Sequence, residues 1–367
     1  MFFQKGRSSL GYYSKMACLT TTLIACGSKS DPPPNDTGTT VTIPPIEWGF
    51  TTITSPNVGD GFGTAIAISS DNLYVGAPHG EVGGSVYIHN QTDSLASIMQ
   101  GSPGDALGAS LAFFDKMIYS AAPLSDAGAG TIYRSDGVAI TGDSGQLLGK
   151  RLYATGNGLF TSSTAGLFRI ISPALGQIVP SLDLEFVAPS ARIGGFIASG
   201  EELFIGTPYG EVSVLVGEES LPRLVPLDEA GYSLCWANLF DDDEEELVVG
   251  APGASRVDLF SRTDTGEFEL KQSISSNNDR FGHALSCAEG ILIVGAPLYG
   301  SDQRGAVWRF EGDPLLWTTE EPFLEGEEAW SQLGFSVRVN MDKELFMGAP
   351  GIASTAGYVS IFAPINP

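Results

Sequence analysis

The chain has 367 residues and carries 43 Asp and Glu against 19 Lys and Arg, a net charge of −24 at pH 7. Such an excess of negative charge repels phosphate backbones and anionic headgroups, which excludes nucleic acid and acidic lipid surfaces as natural partners. It is compatible with cation binding and with solubility at an exposed surface.

At the N-terminus, Lys5, Arg7 and Lys15 precede a short apolar run from Ala17 to Ala25 that ends in Leu23-Ile24-Ala25-Cys26. Basic residues followed by a short apolar stretch form a signal-peptide pattern, too short for a permanent membrane span. Leu-Ile-Ala-Cys resembles the lipobox of bacterial lipoproteins, which implies lipidation of Cys26 after removal of residues 1–25. Residues 26–46, rich in Pro and Thr, have no core-forming pattern and read as a disordered tether. Cleavage leaves 16 basic residues against 43 acidic ones, a net charge of −27. Gly27 stands where some bacterial lipoproteins carry the inner-membrane-retention aspartate, so an outer-membrane, cell-surface location is expected. The lipid on Cys26 is the expected membrane attachment, and stable anchoring needs more than one acyl chain.

From residue 47 onward the sequence repeats. An aromatic or aliphatic residue and a glycine open each unit, followed by a small-residue strand, a turn, and a second strand ending in a Gly-Ala-Pro-like triplet. The triplets begin at Gly76, Ala121, Ser162, Gly206, Gly250, Gly295 and Gly348, with spacings of 41 to 53 residues. A third strand follows each, as in Gly84-Ser-Val-Tyr-Ile-His89 and Gly305-Ala-Val-Trp-Arg-Phe310. This period fits one four-stranded blade per repeat, so residues 47–367 read as an all-β, seven-bladed β-propeller. The last unit stops after its third strand, and Glu47 to Thr54 is a spare strand-like run. That N-terminal strand is expected to complete the last blade and close the ring, protecting otherwise open edges.

Phe62-Gly63 with Gly76-Ala77-Pro78, Phe281-Gly282 with Gly295-Ala296-Pro297, and Leu333-Gly334 with Gly348-Ala349-Pro350 are the clearest units. These motifs resemble the FG-GAP repeat family, the propeller module of integrin alpha chains and of many bacterial surface proteins. Units three and four are degenerate, with Ser162-Ser163-Thr164 and Gly206-Thr207-Pro208 in place of the triplet. The resemblance implies a binding module and a partner face built on the loops after each second strand. Those loops are long in units one, two, six and seven, which a closed ring would set side by side as one raised arc. His79, Glu81, Asp126, Tyr299, Asp302 and Arg304 on them are the expected contacts for a protein or glycan of the cell envelope or another cell. Neutral drift in loop length is the competing explanation.

The resemblance also implies a calcium loop between the first two strands. Only unit five has a long enough insertion, with Asn238, Asp242 and Glu246 at ligand-type positions and Phe240 replacing an oxygen donor. A solvated acidic hairpin is the plainer reading of that run. Asp60, Asp105, Asp228 and Asp279, three residues before their repeat glycines, are expected to hold the opening turns.

Cys235 and Cys287 fall on the first strands of adjacent units. Stacked sheets lie about 10 Å apart whereas a disulfide needs Cα atoms about 5.5 Å apart, which favours two buried thiols over a bridge. Catalytic motifs are scarce: Gly145-Gln-Leu-Leu-Gly149-Lys150 is one residue short of a phosphate loop and is followed by Arg151. The alternative function is a propeller enzyme, a lyase or hydrolase, acting on extracellular polysaccharide through acidic groups around the axis.

Overall fold

The computed structural model describes residues 47–80, 83–90, 94–155, 158–170, 178–179, 194–199, 202–207, 211–216, 219–224, 229–240, 242, 244–277, 279–352 and 355–364. The expected signal peptide, Cys26 and the tether lie outside these residues, as do Glu81 and Asp228. Residues 46–367 form one compact unit.

The described residues form strands joined by turns and loops, with almost no helix, and the strands make seven four-stranded antiparallel sheets. Sheet 1 consists of Ala65–Ile68, Asn72–Ala77, Ser85–Asn90 and Leu95–Gln100 in sequential order. Sheets 2 to 6 repeat that order, opening with Ser110–Phe114, Arg151–Thr155, Phe196–Ser199, Ser233–Ala237 and Ala284–Ala288. Sheet 7 opens with Ser336–Val339, continues through Leu345–Ala349 and Ala356–Pro364, and takes its fourth strand, Trp48–Val58, from the start of the unit. Trp48 lies opposite Pro364 and Thr54 opposite Tyr358 in that antiparallel pair.

The repeat motif has a direct steric cause. In five units the residue before the repeat glycine is driven between neighbouring sheets: Phe62, Leu107, Leu148, Phe281 and Leu333 are all at most 2% exposed. The glycines make the close approach possible. A Cβ on Gly295 would lie 2.8 Å from the Gly334 carbonyl carbon and 3.0 Å from its Cα. Gly76 meets Gly108, Gly206 meets Gly231, Gly250 meets Gly282 and Gly348 meets Gly63 in the same way. The triplet glycine of one sheet is therefore the seat for the opening glycine of the next, and sheet 7 seats sheet 1.

Apolar layers fill the gaps between sheets. Phe281, Trp308 and Phe310 of sheet 6 pack on Val248 and Leu259 of sheet 5. Ile53, Phe346 and Val359 of sheet 7 pack on Phe62, Ile66 and Val75 at the start of sheet 1. Second strands are sandwiched on both faces, which is why Ile291–Ala296 is continuously apolar and buried throughout. Outer strands such as Phe268–Ser275 are largely exposed and polar.

First strands converge. Their edges are closed by serines: Ser233 Oγ donates to Gly282 O at 2.7 Å, and Ser336 Oγ donates to Gly63 O at 2.7 Å across the sheet 7–sheet 1 boundary. Convergence also overturns the cysteine expectation. Cys235 and Cys287 are bridged, with Cα atoms 5.9 Å apart. The 10 Å spacing of stacked sheets does not hold for inner strands, which approach far more closely.

Candidate binding face

The connections leaving second strands and those entering first strands interlock through backbone hydrogen bonds. His79 N–H donates to Asp60 O at 2.8 Å, Leu124 N–H to Asp105 O at 3.2 Å and Leu298 N–H to Asp279 O at 3.1 Å. The aspartates hold the same turns with their side chains. Asp60 Oδ1 accepts from Phe62 N–H at 2.9 Å, and Asp279 Oδ1 from Phe281 N–H at 3.0 Å. Asp60 Oδ2 takes a further bond from Ser55 Oγ and Asp279 Oδ2 one from Ser276 Oγ, both at 2.6 Å. Their role is structural, as their spacing indicated.

The interlocking continues from sheet to sheet. Trp330 N–H donates to Asp302 O at 2.8 Å, Gly351 N–H to Ser331 O at 3.0 Å, Gly59 N–H to Thr355 O at 3.2 Å and Leu107 N–H to Gly83 O at 2.9 Å. The loops of sheets 6, 7, 1 and 2 are thus joined into one stretch of surface. Loops tied this way lose less conformational freedom when a partner docks.

Within that stretch the expected contact residues differ in kind. His79 and Asp126 are exposed at loop tips. Asp126 and Ala127 sit in left-handed turns with φ of 48° and 57°, a conformation tolerated best by Asp, Asn and Gly. Tyr299 is instead half-buried and packs edge-on against Trp308, ring centroids 5.3 Å apart. Burial, then the Glu325 and Asp279 charges, raises its phenol above the ordinary 10.0. Asp302 and Arg304 are spent on each other: Arg304 Nε and Nη2 reach the carboxylate at 3.0 and 2.6 Å. That pairing holds Asp302 below the usual carboxylate range and Arg304 above its own.

Trp330, 46% exposed, stands beside this ion pair. Tryptophan is among the residue types enriched at interface hot spots. The sequence signal for it is the longest repeat spacing, 53 residues between Gly295 and Gly348, which contains the insertion that carries it.

The sheet 5 hairpin carries the three expected calcium-ligand positions. Glu246 is fully buried and accepts from Leu239 N–H at 2.8 Å and Ser261 Oγ at 3.1 Å. Burial raises its carboxyl above the ordinary value. Asn238 Nδ2 donates to the Asp242 carbonyl, and Phe240 packs against the sheet 5–sheet 6 core. Glu246 is thus engaged within its own hairpin, and Asn238 with the Asp242 carbonyl. Among the described residues no group of three or more His, Cys, Asp and Glu is placed to hold a metal.

No family model matches the chain. It is 27% identical to integrin alpha-5 of Xenopus laevis over 225 residues, which take in 50% of this chain and 21% of the integrin. The chain thus spans about a fifth of the length of that curated relative. Among solved structures it is similar to a streptogramin B lyase, with a TM-score of 0.55 and 11% identity over 86% of this chain and 98% of the other. It is also similar to the computationally designed Ika8 protein, with a TM-score of 0.50 and 17% identity over 83% and 98%. These are propeller-like neighbours, and at such identities the likeness is one of fold.

Proposed function

We propose that the chain is a closed seven-bladed propeller, lipid-anchored in the bacterial envelope through Cys26, that binds a protein or glycan through the joined loops of sheets 6, 7, 1 and 2. The observation that carries the reading is the unbroken run of backbone bonds linking those loops, with His79, Asp126 and Trp330 presented on it. The weak integrin likeness supports a binding role, and the Leu23-Ile24-Ala25-Cys26 pattern supports the anchor. No helix among the described residues is long and apolar enough to cross a membrane. Seven sheets, the Ser336–Gly63 bond and the pairing of Trp48–Val58 with the last sheet support closure.

The test is covalent crosslinking on intact cells followed by mass spectrometry, beside a variant whose sheet 6, 1 and 2 loops are cut to the length of the sheet 5 loop. Loss of one crosslinked partner in the variant, with lipid found on Cys26, is the expected outcome. An unchanged partner list would refute the loop assignment, and release of soluble sugar from envelope polysaccharide would replace it with the enzymatic alternative.

A further inference from the structure

The converging first strands line a cavity of about 570 Å³ whose described lining comes from all seven sheets. Its chemistry opposes that of the whole chain. Among the described residues that line it there is no carboxylate, whereas Lys150, Arg151, Arg338 and His283 all face it. In a protein of net charge −24 such a segregation concentrates positive potential in one place.

Among the described residues neither the Arg151 nor the Arg338 guanidinium has a carboxylate partner. Arg338 is exposed to the cavity yet surrounded by protein, and its Nη1 reaches only the neighbouring Val337 carbonyl, at 2.8 Å. Arg151 lies over the Tyr232 ring, 4.9 Å from its centroid. Arg280 approaches the same ring at 5.5 Å but is paired with Glu229 at 2.8 Å. No ion pair joins Arg151 or Arg338 to a carboxylate among the described residues. The neighbouring Gly194-Gly195 opening of sheet 4 puts no side chain at this point of the wall, and Tyr153 Oη donates to Gly194 O at 2.6 Å.

Polar groups and aromatic faces adjoin the cations. His283 packs between Tyr232 and Phe335, ring centroids 4.8 and 4.9 Å away, and its Nδ1 has no hydrogen-bond partner among the described residues. Burial and the Arg151 charge both disfavour further positive charge: they hold Arg338 below its ordinary 12.5 and, together with the Arg280 charge, push His283 down to about 3. Like charges held in each other's field repel. An anion that enters relieves that repulsion.

We propose that the central cavity is a binding site for a small organic oxyanion, a carboxylate or phosphate ester of about sugar size, gripped by Arg338 and Arg151. Guanidinium forks match both oxyanions bidentately, where lysine offers only a point charge. The cavity lies in the usual range for small-molecule sites, roughly 300–1,000 Å³, and is large for an inorganic ion. Tyr232 and Phe335 offer apolar faces to the remainder of the ligand. This site is separate from the loop surface and does not depend on it.

The test is titration of the purified full chain with glucuronate, glucose 6-phosphate and glucose at equal ionic strength, followed by calorimetry and by the thermal midpoint. It is run in parallel on Arg338→Gln, since among the described residues the Arg338 side chain hydrogen-bonds just its neighbour's carbonyl. Binding of glucuronate or of glucose 6-phosphate, a rise in midpoint with it, and a loss of about tenfold or more in the variant are expected, since bonds to charged groups carry about 1.5–3 kcal/mol. Which of the two binds decides between carboxylate and phosphate. The unliganded variant should also melt no lower than the parent, which separates lost binding from lost folding. Equal response to glucose, no response to either anion, or an undiminished response in Arg338→Gln would overturn the assignment.

Discussion

Substituting Gly295→Ala isolates the contact on which the repeat depends. Gly295 has an ordinary backbone conformation, so alanine brings no φ penalty and the effect is purely one of space. The new Cβ would stand 2.8 Å from the Gly334 carbonyl carbon and 3.0 Å from its Cα, nearer still to the oxygen between. Backbone cannot rotate away as a side chain can, so sheets 6 and 7 must part until the new Cβ clears the Gly334 carbonyl oxygen. Overpacking of this kind costs about 1–3 kcal/mol. At roughly 2.1 cal/mol/K of unfolding entropy per residue, a unit of this size loses roughly 2–5 °C in Tm. Sheet 2 shows the accommodation in advance: Ala121 occupies the triplet position, and a Cβ on the facing Gly149 would meet its methyl at 2.8 Å rather than backbone. Gly104→Ala is the control, because nothing lies within 4 Å of its Cβ position and only the positive φ of 94° is strained. Thermal melts of the three proteins check the argument. An unchanged Tm for Gly295→Ala, or a larger loss in Gly104→Ala, would refute glycine-to-glycine seating as the reason for the motif.

Reducing the Cys235–Cys287 bridge, which closes a separation of 52 residues, should cost up to about 4 kcal/mol by the loop-entropy relation, read as a lower denaturant midpoint after mild reduction. The two perturbed buried groups should give opposite pH trends. Glu246, raised from 4.5, contributes stability that is full below that value and lost as pH rises through its folded pKa; Glu246→Gln should flatten that fall in melts from pH 4 upward. His283, pushed down from 6.5 to about 3, contributes stability that is present above 6.5 and lost as pH falls towards 3; His283→Gln should flatten the acid side of the profile. Calcium or a chelator should leave the Tm of either Glu246 form unchanged, because that carboxylate is already occupied by Leu239 N–H and Ser261 Oγ.

The sheets were legible in the sequence because each repeat writes its packing into consecutive residues. A buried Phe or Leu, a seated glycine and a triplet glycine recur at nearly constant spacing, and the aspartates before them hold the turns they were expected to hold. The disulfide was misread because a spacing rule for stacked sheets was applied to strands that converge. Trp330 was hidden in an irregular insertion with no repeat equivalent. The central cations were hidden more deeply. Lys150 and Arg151 follow a degenerate repeat, Arg338 is nearly two hundred residues away, and only the arrangement of first strands brings them to one cavity. A net charge of −24 gives no hint of a cationic interior. Asp302 and Arg304, read as separate contact residues, pair with each other at the loop surface.

The most direct measurement of the binding role is saturable binding of purified protein to isolated cell envelopes, comparing the parent with a His79→Ala, Asp126→Ala, Trp330→Ala triple variant. The account predicts saturable binding without release of soluble sugar or peptide, weakened at least about tenfold in the variant, as loss of an interface anchor worth 2 kcal/mol or more requires. Undiminished binding by a folded triple variant, or turnover of envelope material by the parent, would contradict it.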